Sequence, residues 1–327
     1  MPNLNYAQQW SPELLQILMQ GALTSPFITS NVRWLDAKTF HFTQMSTTGY
    51  KNHKRTGGWN MGSFDQTDVP FTVTHDRDVQ FLVDKADVDE TNATASMQNI
   101  SRTFEQTQVV PETDALFFSR VAQVAQKTEG YHSQTAISAY TKAKVFGMLK
   151  DILAKGKLRR YKANGSLLTY VASPIMDALE QSTEFTRKIE LTQIAEGGIG
   201  IETRVTEIDG VPIMEVIDDE RFYDAFDWEP TEGGFAPLKK VAEDTSNHVA
   251  AVTGDHKINV LVACGQTCKT VPKIASIYYF NPGTHTEGDG YLYQNRSLSD
   301  TFVFPNGRDG KVDSVYVDVD TTEYTGE

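Results

Sequence analysis

Seven histidines, two cysteines and forty-three carboxylates are the groups from which a reactive or metal-binding site could be built, so their spacing comes first. His75-Asp76-Arg77-Asp78 has the residue order of a kinase catalytic loop, in which a carboxylate accepts a substrate proton. It falls inside a predicted strand and no companion motif is present, so it reads as a charged face of a hairpin. Asp87-Val88-Asp89 and Asp318-Val319-Asp320 place carboxylates two apart, on one side of an extended chain. A solvated face is the expected reading of each. Cys264 and Cys268 are too few for a disulfide scaffold, and a tetrahedral zinc site would need two further ligands close by. They read as small residues near a strand end. The histidines, at 41, 53, 75, 132, 248, 256 and 285, show no metal-ligand spacing.

Phosphate and acyl-transfer signatures are equally absent. The string nearest to a phosphate-binding loop, Ala154-Lys155-Gly156-Lys157-Leu158, lacks both the loop and the hydroxyl. There is no G-x-S-x-G, no H-E-x-x-H and no calcium loop. Gly197-Gly198-Ile199-Gly200 has no strand before it, so it reads as a flexible loop and not a dinucleotide fingerprint. No catalytic residue, cofactor or metal is expected, and the chain reads as a protein that is not an enzyme.

Composition agrees. Hydrophobic residues make up 39% of 327, enough to bury a core, and the charged fraction of 22% is far from that of a disordered chain. A net charge of -13 argues against a surface built to grip nucleic acid, since such binding draws on phosphate neutralisation. No apolar run approaches the roughly 18 residues of a membrane helix, and the first residues, Met1-Pro2-Asn3-Leu4, carry neither the basic nor the apolar part of a signal peptide. A protein made and used in a cytoplasm, with no membrane partner, is expected.

Residues 1–36 read as an arm. Ser11, Pro12 and Glu13 start a short helix whose apolar face is Leu14, Leu15, Leu18 and Met19, ended by Gly21. A single apolar face on a peripheral helix needs a cover, and a neighbouring subunit is one candidate. Residues 37–85 read as a long two-stranded hairpin: Phe40 and Phe42 alternate outward, and Val69, Phe71, Val73, Val79, Phe81 and Val83 alternate on the return. Its wide tip, 45–66, holds Gly49, Gly57, Gly58, Gly62 and the basic run Lys51-Asn52-His53-Lys54-Arg55. A loop of that length fits a limb reaching onto a neighbour better than part of a compact domain.

Residues 90–128 read as helical, with Pro111 marking a break or a kink. A second helix is expected over 136–158, with Ile137, Tyr140, Lys144, Met148 and Leu149 along it and a basic last turn. Strand 167–172 precedes a helix capped by Ser173-Pro174. Strands follow at 199–205 and 211–217 around Asp209-Gly210, then at 258–263, 274–280, 301–304 and 315–319. The last nineteen residues form an acidic tail, with Asp309, Asp313, Asp318, Asp320, Glu323 and Glu327 against Lys311.

This order of elements, with the strings Arg204-Val205-Thr206-Glu207-Ile208-Asp209-Gly210-Val211-Pro212-Ile213 and Tyr293-Gln294-Asn295-Arg296-Ser297-Leu298-Ser299-Asp300-Thr301-Phe302-Val303, resembles the major capsid proteins of tailed bacteriophages. The resemblance implies an α+β, Hong Kong 97-type capsid fold over nearly the whole chain. It makes 1–36 the N-arm, 37–85 the extended β-hairpin loop, and 86–129 the peripheral domain with its long spine helix. It makes 130–265 the axial domain and 266–327 the return to the peripheral domain and the acidic C-terminal tail. Inter-subunit contacts are implied at the loop tip, through Lys51, Lys54, Arg55 and Trp59, and along the N-arm helix, through Leu14, Leu15 and Leu18. The implied role is a structural head protein that assembles into pentamers and hexamers of an icosahedral or prolate shell around phage double-stranded DNA. The implied partners are copies of itself, a portal protein, decoration proteins and DNA held without sequence specificity, in a virion assembled in the host bacterial cytoplasm.

Two features depart from the family prototype. Only about 36 residues precede the hairpin, where the prototype carries a scaffold-like extension; a separate scaffolding protein is therefore expected. The prototype also joins subunits by a lysine–asparagine bond, and no asparagine and acid matching Lys51 or Lys54 is evident. The alternative within the same fold is an encapsulin-type nanocompartment shell that packages cargo enzymes.

Overall fold

The computed structural model describes residues 21–29, 38–53, 57, 59–85, 97–182, 190–192, 203–231, 233–243, 250–284, 286, 288–306 and 311–326. The helix expected around Leu14, Leu15 and Leu18, the glycine run 197–200, and Asp87 to Asp89 lie outside these residues.

Thr39–Thr47 (β1) and Phe64–Thr72 (β2) pair antiparallel over their full length, with Phe40 opposite Phe71, and form a two-stranded sheet of their own. The hairpin is shorter than expected. His75–Asp84 (β3) does not extend it but pairs antiparallel with Gly290–Val303 (β11), more than two hundred residues on. Alternating apolar residues mark a strand, not its sheet. Here the partner is fixed by contacts across the ladder, such as Arg296 Nη2 to Asp76 Oδ2 at 2.9 Å. Cys268–Phe280 (β10) completes a three-stranded sheet in the order β10-β11-β3. Its register shifts between Pro272 and Ile274, where proline has no N–H to give the ladder.

A long helix crosses this sheet. Met97–Phe104 (α1) passes through a π-helical turn, Glu105–Val109, into Val110–Gln126 (α2). Pro111 therefore does not break the helix. The π turn makes bonds one residue longer, Val110 N–H donating to Glu105 O, and Pro111 falls in the first turn of α2, where its missing N–H costs least.

The second sheet has seven strands. His132–Gln134 (β4), Leu167–Ala172 (β5), Glu190–Thr192 (β6), Thr203–Ile208 (β7), Val211–Val216 (β8), His256–Cys264 (β9) and Tyr316–Glu323 (β12) run in the order β4-β12-β9-β5-β8-β7-β6. Asp209 and Gly210 sit at φ 52° and 78° and join β7 to β8 in a two-residue turn, which needs positive φ at both central positions. Both faces are covered. Val171, Val260, Val262 and Tyr316 point to one side, against Val145–Leu153 (α3), Leu158–Ala163 (α4) and Ser173–Glu180 (α5). Tyr170, Leu261, Ala263 and Val317 point to the other, against Phe117, Phe118, Val121, Ala122 and Ala125 of α2. Burial on both faces is why β9 reads as a nearly unbroken apolar run. Each large side chain removed from water here contributes about 1.5–3 kcal/mol, so Phe118→Ala would cost about 3–5 kcal/mol.

Three expectations fail here for identifiable reasons. The single helix over 136–158 is three pieces: a 3₁₀ turn Ile137–Ala139, then α3, then α4 after Gly156 at φ 48°. Tyr140 leaves helical geometry, and its hydroxyl donates to Asp318 Oδ2 at 2.8 Å. Ser173 does not cap α5; its hydroxyl donates to Val216 O at 3.1 Å. The acidic tail contains β12, an interior strand between β4 and β9, so the chain returns to the seven-stranded sheet after leaving the three-stranded one.

Candidate functional site

The catalytic candidates resolve into structural contacts. His75 Nε2 lies 2.9 Å from Glu112 Oε1, and Arg77 Nε lies 2.8 Å from the same oxygen. Arg77 also donates to the carbonyls of Trp228 and, at 2.6 Å, Gly234. Asp76 pairs with Arg296 and Lys38. The string that reads as a hairpin face instead bolts β3 to α2 and to the 228–234 loop, beside an open groove of about 590 Å³. No nucleophile with an adjacent free base lies there among the described residues.

Asp318 is the clearer correction. It is fully buried, not solvated, and accepts from Ser133 Oγ, from Thr135 Oγ1 at 2.7 Å, from Tyr140 at 2.8 Å and from Asn259 Nδ2 at 2.9 Å. Asp320, two residues on, accepts the backbone N–H groups of Ile137 and Thr321. Together they tie β4 and the following turn to β12. A buried carboxylate with this many donors is a structural tie, not a proton donor looking for substrate. Burial pushes the Cys268 thiol up to about 12, which removes the thiolate that nucleophilic or metal chemistry requires. Cys264 is buried as well, and the two flank the turn between β9 and β10. Among the described residues no group of three or more His, Cys, Asp or Glu is placed to hold a metal ion. None of their helices is long and apolar enough to cross a membrane.

What the molecule does display is an apolar, exposed hairpin tip. Trp59 is 94% exposed, Met61 89% and Phe64 73%, with Tyr50 and Met45 also open to water. His53 and Trp59 rings stand 6.4 Å apart, and Asn60 Nδ2 donates to Asn52 O at 2.9 Å, the main tie across the tip. Lys51 is exposed, with its Nζ 3.5 Å from Met61 O; Lys54 and Arg55 lie outside the described residues. Large apolar groups are thus clustered at the end of the two-stranded ribbon and exposed to water. The basic run stood out in the sequence itself, and Trp59 was named only through the family resemblance. Tyr50, Met61 and Phe64 carry no sequence signal of their own, and what sets them apart is their exposure among the described residues.

Residues 23–27 are anchored differently. Leu23 and Phe27 are buried, Phe27 lying 4.5 Å from the Phe117 ring. Asp114 of α2 accepts from Leu23 N–H at 3.0 Å, Thr24 N–H at 3.1 Å and Thr24 Oγ1 at 2.6 Å, and pairs with Arg221 Nη1 at 2.9 Å. Both charged side chains have no solvent exposure. Burial raises the Asp114 carboxyl, while Thr24, Leu23 and the Arg221 guanidinium pull it back down. Neither partner stood out in the sequence, since a buried ion pair 107 residues apart leaves no local pattern.

No protein-family model matches the chain, and no curated protein sequence does. Its structure is nevertheless similar to solved phage capsids. The mature capsid of bacteriophage PhiM1 superimposes with a TM-score of 0.60 at 12% identity, over 95% of this chain and 91% of that one. The capsid of cyanophage P-SCSP1u gives 0.58 at 11% identity, over 96% and 92%. The capsid of Myoviridae phage XM1 gives 0.52 at 7% identity, over 95% and 96%. The chain has the Hong Kong 97-type fold. The strings Arg204 to Ile213 and Tyr293 to Val303, on which the resemblance was read, lie in the β7–β8 hairpin and in the middle strand of the three-stranded sheet.

Proposed function

We propose that this chain is the major capsid protein of a tailed bacteriophage. Copies associate into pentamers and hexamers of an icosahedral or prolate head that encloses double-stranded DNA, within a virion assembled in the host cytoplasm. The carrying observation is agreement with phage capsid subunits over nine-tenths or more of both chains, from one end of the fold to the other. The exposed tip supports it: Trp59 and Met61 on a two-stranded ribbon are a poor feature of a solitary protein and a good one for a limb laid on the next subunit. Head-to-tail contact between two different surfaces closes into rings when the rotation allows. The residues of that contact are Lys51, Lys54, Arg55 and Trp59 at the tip and Leu14, Leu15 and Leu18 on the arm.

The partners of this reading are a scaffolding protein, a portal, decoration proteins and packaged DNA. A net charge of -13 supports DNA retained by closure of the shell instead of by affinity. Its role is structural, not enzymatic; the buried, fully hydrogen-bonded carboxylates support that. A nanocompartment shell would share the fold and differ in cargo, and the phage capsids among its structural relatives favour the viral reading.

The test is deletion of residues 50–62. The variant should stay folded, since the described residues among those deleted are all exposed, and should fail to form the large particles that the parent chain forms in light scattering. Equal particle yields from both, or a parent that stays a 36.5 kDa monomer at high concentration with and without a scaffolding protein, would sink the proposal.

A further inference from the structure

The hairpin leaves the body at Val73 and Thr74, between β2 and β3, and this junction is unusually well held. Below it, Val73 is fully buried with Phe40, and the rings of Phe40, Phe71, Phe302 and Phe304 contact one another at 5.2–6.4 Å. Beside it lies Asp300 of β11, only 3% exposed. Its Oδ2 accepts from Thr74 N–H at 3.1 Å and Thr74 Oγ1 at 2.8 Å; its Oδ1 accepts from Arg120 Nε and Thr301 N–H. Arg120 of α2 closes the ring by donating to Thr74 Oγ1 at 3.2 Å. Three elements that are remote in sequence thus converge on the one residue at which ribbon becomes sheet.

We propose that Asp300 and Arg120 are positioning residues that clamp Thr74 and so fix the angle at which the hairpin leaves the body. The aromatic socket is a rounded, apolar contact that several hairpin angles could satisfy; hydrogen bonds to a charged group are directional and select one. These hydrogen bonds to Asp300 all come from donors, so an amide in its place would turn an NH₂ group toward N–H groups. The consequence for particle shape rests on the assembly reading; the clamp itself is a property of the single subunit.

The measurement is the distance distribution between labels on Met61→Cys at the tip and Glu129→Cys beyond α2, with amide exchange at Val73 and Thr74. Native Cys264 and Cys268 have no exposure and stay unlabelled. Asp300→Asn and Thr74→Val should widen the distribution and speed Thr74 exchange by about 10- to 100-fold, the loss expected for a hydrogen bond to a charged group. Thr74→Ser keeps the hydroxyl and should match the parent, and exchange within the β1–β2 ladder should not change. Should Asp300→Asn fail to fold, Thr74→Val, which leaves the Asp300–Arg120 pair in place, decides alone. Distributions for folded Thr74→Val that coincide with the parent would overturn the clamp, as would equal widening in Thr74→Ser. Failure of the parent to form particles would sink the assembly reading and leave this result standing.

Discussion

Replacing Arg221 with methionine tests how residues 23–27 are joined to α2. The substitution fills most of the aliphatic volume but removes the cation 2.9 Å from Asp114, leaving a carboxylate with no solvent exposure and no opposite charge. Removing one partner of a buried pair costs about 3–5 kcal/mol, most of it the uncompensated charge. Asp218, which also pairs with Arg221, is 22% exposed and so is less penalised by the loss. With an unfolding entropy of about 2.1 cal/mol/K per residue over 327 residues, the melting point should fall by about 4–7 °C. The sign with pH follows from the same site. Burial already raises Asp114, and loss of the guanidinium raises it further, so its ionisation opposes folding. The stability deficit should be smallest in acid and grow as pH rises through the raised value. Removing both charges, in Asp114→Leu with Arg221→Met, should recover only part, because Leu23 and Thr24 lose the acceptor for their N–H groups, about 1–3 kcal/mol each. Thermal melts from pH 4 to 8 decide it. A deficit below about 1 kcal/mol at pH 7, or one that grows in acid, would refute the reasoning.

Tyr140→Phe removes one of the donors to buried Asp318 and should cost about 1.5–3 kcal/mol in denaturant unfolding. Gly156→Ala places a Cβ 2.5 Å from Tyr131 Oη at φ 48°, whereas Gly130→Ala at φ 80° meets open space; the first should lower the melting point clearly more than the second. Burial, with the Asp224 carboxylate adding to it, pushes Asp255 up to about 6, so its contribution to stability is full below the ordinary carboxylate range and lost as pH rises through about 6. Asp255→Asn should flatten stability between pH 4 and 6, read as melting points across that range, while still accepting the Leu238 N–H that Asp255 accepts at 2.7 Å.

Legibility in the sequence followed the range of the interactions. The β7–β8 turn at Asp209-Gly210 and strand β5 were readable because their causes are local: positive-φ residues and a run of β-formers. The partner of β3 was not, because Val79 and Phe81 alternate identically whether they pair with β2 or with β11. Asp318 was misread for a related reason. An acidic residue suggests solvent, and the four donors that make its burial tolerable come from Ser133, Thr135, Tyr140 and Asn259, well separated in the chain. The wide tip between β1 and β2 was legible from its length and glycines. Its apolar surface was not, since exposure of Met61 and Phe64 depends on what fails to pack on them. Family resemblance supplied the architecture as a whole, which periodicity alone would have left as a mixed α/β chain with protruding parts.

Electron microscopy of the purified chain, alone and co-expressed with a scaffolding protein, tests the central claim most directly. The account predicts closed, uniform shells in the second case, with rings of five and six subunits and the Trp59–Met61 tip of each copy lying against its neighbour. Single subunits in both preparations, or shells in which every tip projects into solvent, would contradict it.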